Sequence, residues 1–120
     1  MRFTEVTFDN ATPIDGYGPG FFRIGGQVYE GPVLVLPNGV KPWGGFDADQ
    51  PLLATAAVLD ILFIGTGDDT TYLPGALRGK LENAGLNAEP MSTGAACRTF
   101  NVLLAEGRRV GAALLPVSST

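Results

Sequence analysis

The chain has no histidine, one cysteine among its 120 residues, and only 17% charged residues. Without histidine, it cannot by itself supply a Ser-His-Asp triad, a Cys-His dyad or a histidine-ligated zinc site. A single cysteine cannot form an internal disulfide, which is typical of proteins in a reducing compartment. The low charge, together with 45% hydrophobic residues, excludes a disordered polar chain and favours a packed globule.

Long apolar runs and an excess of positive charge are also missing. The most hydrophobic stretch, residues 51–65, contains Asp60 and is shorter than the roughly 18 apolar residues that a bilayer span needs. Residues 1–5 show no apolar core of a secretion signal. A net charge of −4 argues against coating of nucleic acid or an anionic membrane. We therefore expect a cytoplasmic protein that binds no nucleic acid and does not insert into a membrane.

The first half of the chain is rich in turn-forming residues. Most of the 17 glycines and 9 prolines fall there, which favours short strands joined by turns. Gly25-Gly26 is typical of a tight hairpin turn, because both residues tolerate positive φ angles. The pattern predicts a loop over residues 15–20, a turn over residues 37–39, and strands over residues 2–8, 21–24, 27–29 and 32–36.

The second half alternates between helix and strand patterns. It predicts helices over residues 51–59, 74–84 and 93–106, and strands over residues 61–64, 88–91 and 110–117. Such alternation indicates right-handed crossovers and a largely parallel sheet. We therefore expect one α/β domain over residues 1–120, with the N-terminal hairpins as an additional antiparallel layer.

The sharpest candidate site lies where a strand ends and the helix of residues 93–106 begins. In open α/β sheets, ligands bind at the carboxyl ends of the strands, and a helix N-terminus suits an anion. Thr93 can cap this helix, Gly94 allows close approach to the main chain, and Arg98 lies opposite the apolar stripe. These three residues are candidates for holding a small anion or an acidic group. The alternative is an ordinary Thr-capped helix with a solvated arginine.

A second segment, Gly65-Thr66-Gly67, ends the preceding strand and would form the other wall of this cleft. It is no dinucleotide fingerprint, because Thr70 replaces the last glycine and Asp68-Asp69 would repel a pyrophosphate. The alternative is a tight turn followed by a solvated acidic loop. Two adjacent carboxylates are too few ligands for a hard cation. We expect no metal site and no cofactor.

Two further residues, Cys97 and Trp43, have side chains that could serve a function. Cys97 has no histidine to activate it and no second cysteine to resolve an oxidised form, so a half-buried structural thiol is expected. Trp43 lies in a Pro-Trp-Gly-Gly loop. If exposed, it would be an anchor for a protein partner; if buried, it would fill the edge of the core. No catalytic residues are identified.

Three stretches carry a family resemblance: DILFIGTG at residues 60–67, MSTGAACRTFNVL at residues 91–103, and AEGRRV at residues 105–110. They resemble the Mth-type domain of unknown function, a family that includes mitochondrial respiratory complex I assembly factor three and an adipogenesis-associated protein. Tyr17, the hairpin of residues 25–29, the strand of residues 33–37 and Trp43 also follow the family's order. The resemblance covers nearly the whole chain.

The resemblance implies a three-layer α/β fold with a central mixed sheet and implies no catalytic residues. It suggests a non-catalytic protein-interaction or assembly factor that binds an unknown protein partner. A homo-oligomer of this chain is a further expectation. The residues themselves leave an alternative open. In that alternative the chain binds a small anionic ligand, or is an enzyme, using the cleft between residues 65–67 and 93–98.

Overall fold

The computed structural model describes residues 12–118. The strand expected over residues 2–8 lies outside these residues. The strands are β1 Ile14–Gly18, β2 Phe21–Ile24, β3 Gln27–Glu30, β4 Val33–Leu36, β5 Gly39–Pro42, β6 Ile61–Gly65, β7 Ala88–Met91 and β8 Val110–Leu114. The helices are α1 Gln50–Leu53, α2 Gly75–Asn83 and α3 Thr93–Ala105.

The strands form two sheets. The central sheet has the order β5-β4-β8-β6-β7, and β6 pairs in parallel with both β7 and β8. β4 is antiparallel to both of its neighbours, so the other strands of this sheet share one direction. The small sheet, β1-β2-β3, is antiparallel throughout. The predicted mixed, mostly parallel sheet and the antiparallel N-terminal layer are confirmed.

The central sheet has an apolar core on each face, because successive side chains of a strand point to opposite faces. In β4, Val33 and Val35 join the core beneath α3 and the small sheet. Leu34 joins the opposite core, beneath α1 and α2. In β6, Phe63 lies in the core beneath α3 and Leu62 lies in the opposite core. The apolar run in this strand is therefore explained by burial on both faces, and the protein has three layers.

Three strands differ from the sequence-based prediction. β8, expected over residues 110–117, ends at Leu114, and the other two are β1 and β5. β1 occupies most of the segment expected to be a loop, residues 15–20, and that expectation was wrong. Its pairing with β2 has an irregularity between Ile14 and Gly16, which accommodates the glycine-rich sequence. β5 was not predicted. It is the second strand of a hairpin with β4. Leu36 pairs with Gly39, so Pro37 and Asn38 form the turn.

The first helix is much shorter than expected. Residues 51–59 were predicted to be helical, but α1 ends at Leu53 and turns follow it. Asp49 gives no side-chain cap, because its carboxylate accepts a hydrogen bond from Lys80 Nζ at 2.7 Å. Thr55 Oγ1 donates to the Leu52 carbonyl oxygen at 2.7 Å, a local bond that competes with continued helix.

Candidate functional site

The two segments predicted to form the cleft do meet. The Thr66 N–H donates to the Met91 carbonyl oxygen at 2.8 Å, and the Thr93 N–H donates to the Gly67 carbonyl oxygen at 2.9 Å. These bonds continue the parallel pairing of β6 and β7 beyond the strands themselves. The end of β6 and the start of α3 are therefore fixed side by side at the carboxyl edge of the sheet.

Thr93 has a different role from the one predicted. Its side chain is fully buried, its hydroxyl donates to the Leu115 carbonyl oxygen at 2.6 Å, and the same oxygen accepts from the Gly67 N–H at 2.9 Å. The helix cap is Ser92, whose Oγ accepts from the Ala95 N–H at 3.4 Å. The predicted capping by Thr93 was wrong, because its hydroxyl joins three chain segments instead.

Gly65 and Thr66 also serve the packing of this edge. A Cβ on Gly65 would lie 2.8 Å from Thr93 Oγ1 and 2.9 Å from Leu114 Cδ2, so only glycine fits here. The Thr66 hydroxyl lies 2.6 Å from the Asp69 carbonyl oxygen and accepts from the Thr71 N–H at 3.2 Å. Both residues therefore hold the turn at the end of β6, and neither is among the residues that line the cleft described next.

Gly67, Gly94 and Arg98 line an open cleft of about 570 Å³ at the start of α3. We call this the Arg98 cleft. Its other lining residues are Tyr17, Gly18, Asp68, Ser92 and Val117. Tyr17, Gly18 and Val117 were missed because they come from the two ends of the described chain. A bridge between Pro19 and Val117 joins those ends.

Tyr17 lies directly over the first turn of α3. A Cβ on Gly94 would overlap the Tyr17 hydroxyl oxygen and would lie 3.5 Å from Arg98 Nη1. Glycine at position 94 therefore leaves room for the Tyr17 hydroxyl beside Arg98 in this wall of the cleft. The Tyr17 ring is held from below by Phe22, with ring centroids 6.5 Å apart.

The Arg98 cleft carries charges of both signs. Arg98 is exposed and makes no ion pair within residues 12–118. The Asp68 carboxylate accepts from the Ser118 N–H at 2.9 Å and from the Ser118 hydroxyl. An anion bound by Arg98 would lie near this carboxylate, so the cleft suits a group that offers both a donor and an acceptor.

Cys97 is a core residue. Its side chain is only 4% exposed and packs with the cluster beneath α3. Burial raises the pKa of this thiol to about 12, although the nearby Arg98 guanidinium acts in the opposite direction. The thiol is therefore protonated at neutral pH and is a poor nucleophile.

Trp43 is also a core residue. It is 4% exposed, its Nε1–H donates to the Ala48 carbonyl oxygen at 3.1 Å, and Phe46 packs against it edge-on at a centroid distance of 6.0 Å. This placement matches the buried alternative rather than an exposed anchor.

Among the helices within residues 12–118, none is long and apolar enough to cross a membrane.

Similar proteins were found by sequence. Residues 14–115 match the family described as "Protein of unknown function (DUF498/DUF598)". An uncharacterized protein of Rhodobacter capsulatus is 54% identical over 98% of this chain and 94% of its own length. The human NADH dehydrogenase [ubiquinone] 1 alpha subcomplex assembly factor 3 is 34% identical over 86% of this chain. That alignment spans 60% of the human protein.

Solved structures have the same fold. A crystal structure of a protein called an outer membrane protein of Bartonella henselae is 39% identical, with a TM-score of 0.82 over 92% of this chain and 98% of that one. A Bordetella pertussis protein described as an Mth938-like domain is 26% identical, with a TM-score of 0.73 over 100% of this chain and 95% of that one. The chain belongs to the DUF498/DUF598 family and has the Mth938-like fold.

Proposed function

We propose that this protein is a non-catalytic assembly factor that binds another protein in the cytoplasm, and that the assembly it serves is a respiratory NADH dehydrogenase. The observation that supports the proposal most is the 34% sequence identity to a named NADH dehydrogenase assembly factor over 86% of this chain.

The chemistry of the described residues favours binding over catalysis. The thiol of Cys97 is buried and protonated at neutral pH, and the hydroxyl of Thr93 is committed to main-chain groups. The cleft instead presents the Tyr17 phenol and the Arg98 guanidinium, beside the Asp68 carboxylate that accepts from Ser118. Such a set recognises the mixed donors and acceptors of a protein surface.

The test is deletion of the gene in the organism of origin, followed by measurement of assembled NADH dehydrogenase on native gels. The expected result is a reduced amount of the complete enzyme and accumulation of subcomplexes, restored by the wild-type gene. In parallel, tagged protein isolated gently from the same cells is examined by native mass spectrometry. Co-purification of NADH dehydrogenase subunits at a fixed ratio is expected. Unchanged assembly in the deletion strain contradicts the proposed role.

A second candidate is the binding of a small anionic ligand in the Arg98 cleft. The observation that favours it is the juxtaposition of Gly67 and Gly94 with the guanidinium of Arg98, which makes no ion pair with the described part of the chain. Asp68 in the same cleft opposes it, and this candidate therefore stands second.

Arg98→Ala separates the two candidates, with Arg78→Ala as a control in which an exposed arginine of α2 is removed elsewhere. Calorimetric titration with inorganic phosphate and with succinate tests the small-ligand candidate. Binding that R98A abolishes and R78A preserves supports it. If neither anion binds and R98A instead loses the co-purifying subunits, the assembly role is supported.

A further inference from the structure

Within residues 12–118 the two sheets have four edge strands: β1, β3, β5 and β7. An edge strand exposes main-chain N–H and C=O groups that can pair with another strand, and proteins commonly block such edges. β1 is blocked at Ile14 by a side chain. The N–H of Ile14 donates to Asn101 Oδ1 at 2.8 Å, and its carbonyl accepts from Asn101 Nδ2 at 2.9 Å.

β5 is blocked by proline. The Trp43 N–H donates to the Pro32 carbonyl oxygen at 3.0 Å, which fixes the alternation of the β4–β5 ladder. The main-chain groups of Val40 and Pro42 therefore point away from β4. Proline has no N–H, so this edge lacks a donor where a neighbouring strand would need it.

β7 is blocked in the same way. The Leu62 N–H donates to the Asn87 carbonyl oxygen at 2.9 Å, and Met91 accepts from Thr66 at the other end of the strand. This alternation directs Pro90 away from β6. At position 90 the outward edge of β7 therefore also lacks a donor.

β3 has no such block within the described chain. Phe22 pairs with Tyr29, and the Gly31 N–H donates to the Gly20 carbonyl oxygen at 2.9 Å. This alternation leaves the N–H and C=O groups of Val28 and Glu30 directed outward. Among residues 12–118, no strand pairs with this edge. Val28 is 57% exposed, which is high for a valine in a strand.

The outer face of this hairpin has complementary charges. Arg23 is opposite Val28, and Phe21 is opposite Glu30. Together with Pro19 and Gly20, these four residues line a shallow depression of about 560 Å³. Neither Arg23 nor Glu30 makes an ion pair within residues 12–118.

We propose that a second copy of this chain pairs with β3 in antiparallel orientation, with Tyr29 opposite Tyr29 of the partner on a two-fold axis. A two-fold axis matches a patch to itself, as most homodimers do. In this register Val28 faces Glu30 of the partner, and each such pair exchanges its two main-chain hydrogen bonds. Arg23 lies just beyond Val28, so its guanidinium approaches the partner's Glu30.

The neighbouring registers fit worse. With Val28 opposite itself, the partner's Glu30 would face Gly26, whose N–H already donates to Asp15 Oδ2 at 3.1 Å. Two carboxylates would then be close together. With Glu30 opposite itself, like charges would face each other, and Val28 would face Pro32, which has no N–H. The proposed register avoids both conflicts.

Disulfide trapping reads the register directly. The native Cys97 is buried, so a cysteine introduced in β3 is the more accessible thiol, also at Tyr29, which is half-buried against the core beneath α3. Directly opposed residues outside the hydrogen-bonded pairs have Cα atoms about 4.5 Å apart, within disulfide range. We expect Y29C to form a covalent dimer on mild oxidation of the full chain, and V28C, E30C and the control Q27C to form much less. Fastest trapping at position 28 or 30 overturns the proposed register.

The edge itself is tested by sedimentation of the wild type over a concentration series. A four-residue edge is small, so we expect a dimer that dissociates on dilution. Val28→Pro removes an outward donor while leaving the β2–β3 ladder intact, and it should raise the dissociation constant by about tenfold or more. Val102→Ala, at an exposed position of α3, is the control and should leave it unchanged.

Charge reversal completes the test. Arg23→Glu or Glu30→Arg alone should weaken the dimer, and the double variant R23E/E30R should restore it. A wild type that stays monomeric to about 1 mM overturns the proposal. The proposal is also overturned if the protein is a monomer in which the amides of Val28 and Glu30 are protected from hydrogen exchange. In that outcome residues 1–11 of the same chain, and not a second copy, would pair with this edge. Because none of these readouts involves NADH dehydrogenase, failure here is distinguishable from failure of the proposed function.

Discussion

The side-chain amide of Asn101 substitutes for a neighbouring strand at Ile14. It accepts from the Ile14 N–H at 2.8 Å and donates to the Ile14 carbonyl at 2.9 Å, across 87 positions of sequence. A single residue of α3 thereby satisfies the start of β1 and fastens the small sheet against the helix. The arrangement also holds β1 where Tyr17 can reach the Arg98 cleft.

Loss of this amide should destabilise the protein. Asn101→Ala leaves a partly buried N–H and C=O without partners, which costs about 1–3 kcal/mol in the free energy of unfolding. The neighbouring Val102 is exposed, so Val102→Ala should change that energy by less than about 0.5 kcal/mol. Urea unfolding monitored by circular dichroism measures both. Equal effects of N101A and V102A would mean that the amide contributes nothing.

The Thr93 hydroxyl should matter for stability through both of its hydrogen bonds. Thr93→Val keeps the shape of the side chain but leaves the Gly67 N–H and the Leu115 carbonyl without this partner. We expect a loss of about 2–4 kcal/mol in unfolding free energy, since both groups lie at a buried junction. Thr93→Ser retains the hydroxyl and should lose much less. A Val variant as stable as the Ser variant would contradict the assigned role.

Two helical glycines should respond in opposite directions to alanine. At Gly94 a Cβ would overlap the Tyr17 hydroxyl, so Gly94→Ala forces this part-exposed ring to shift. Because alanine also favours the helix, we expect a net destabilisation of about 1 kcal/mol or less. At Gly79 in α2 no neighbouring atom lies within 4 Å, and Gly79→Ala should stabilise by about 0.5–1 kcal/mol. Thermal unfolding compares them. The cause is checked by Tyr17→Phe, which removes the hydroxyl and should reduce the penalty of G94A in the double variant.

The buried thiol of Cys97 should make stability fall at alkaline pH. Its pKa rises from 9.0 to about 12 in the folded chain, so the unfolded chain loses this proton first. The stabilisation is therefore fully present below about pH 9 and is lost as the pH rises toward 12, by up to about 1.4 kcal/mol per pH unit. Cys97→Ala removes this contribution. The difference in unfolding free energy between wild type and C97A should narrow above pH 9; a constant difference would contradict the shift.

Periodicity and turn chemistry were enough to predict much of this fold. The Gly25-Gly26 hairpin, the buried strand β6 and the helix α3 follow from local patterns, and local patterns reflect burial on one face or on both. The meeting of residues 65–67 with the start of α3 was also predictable, because parallel strands bring their carboxyl ends to one edge. Helix length was less predictable. α1 ends at Leu53, where the Thr55 hydroxyl bonds to the Leu52 carbonyl, and its expected cap Asp49 is instead paired with Lys80, a residue distant in sequence.

The sequence by itself determined the layers of this protein, its lack of histidine chemistry and the place of the cleft at the start of α3. Tertiary structure decided which groups the cleft presents. Tyr17 lines the cleft because β1 pairs with β2 and is held by Asn101. Thr93 does not line it, because its hydroxyl is hydrogen-bonded to main-chain groups of two other segments. The physical reason is common to both cases: a polar group's partner is chosen by the three-dimensional packing of segments far apart in the chain, and no local pattern encodes that choice.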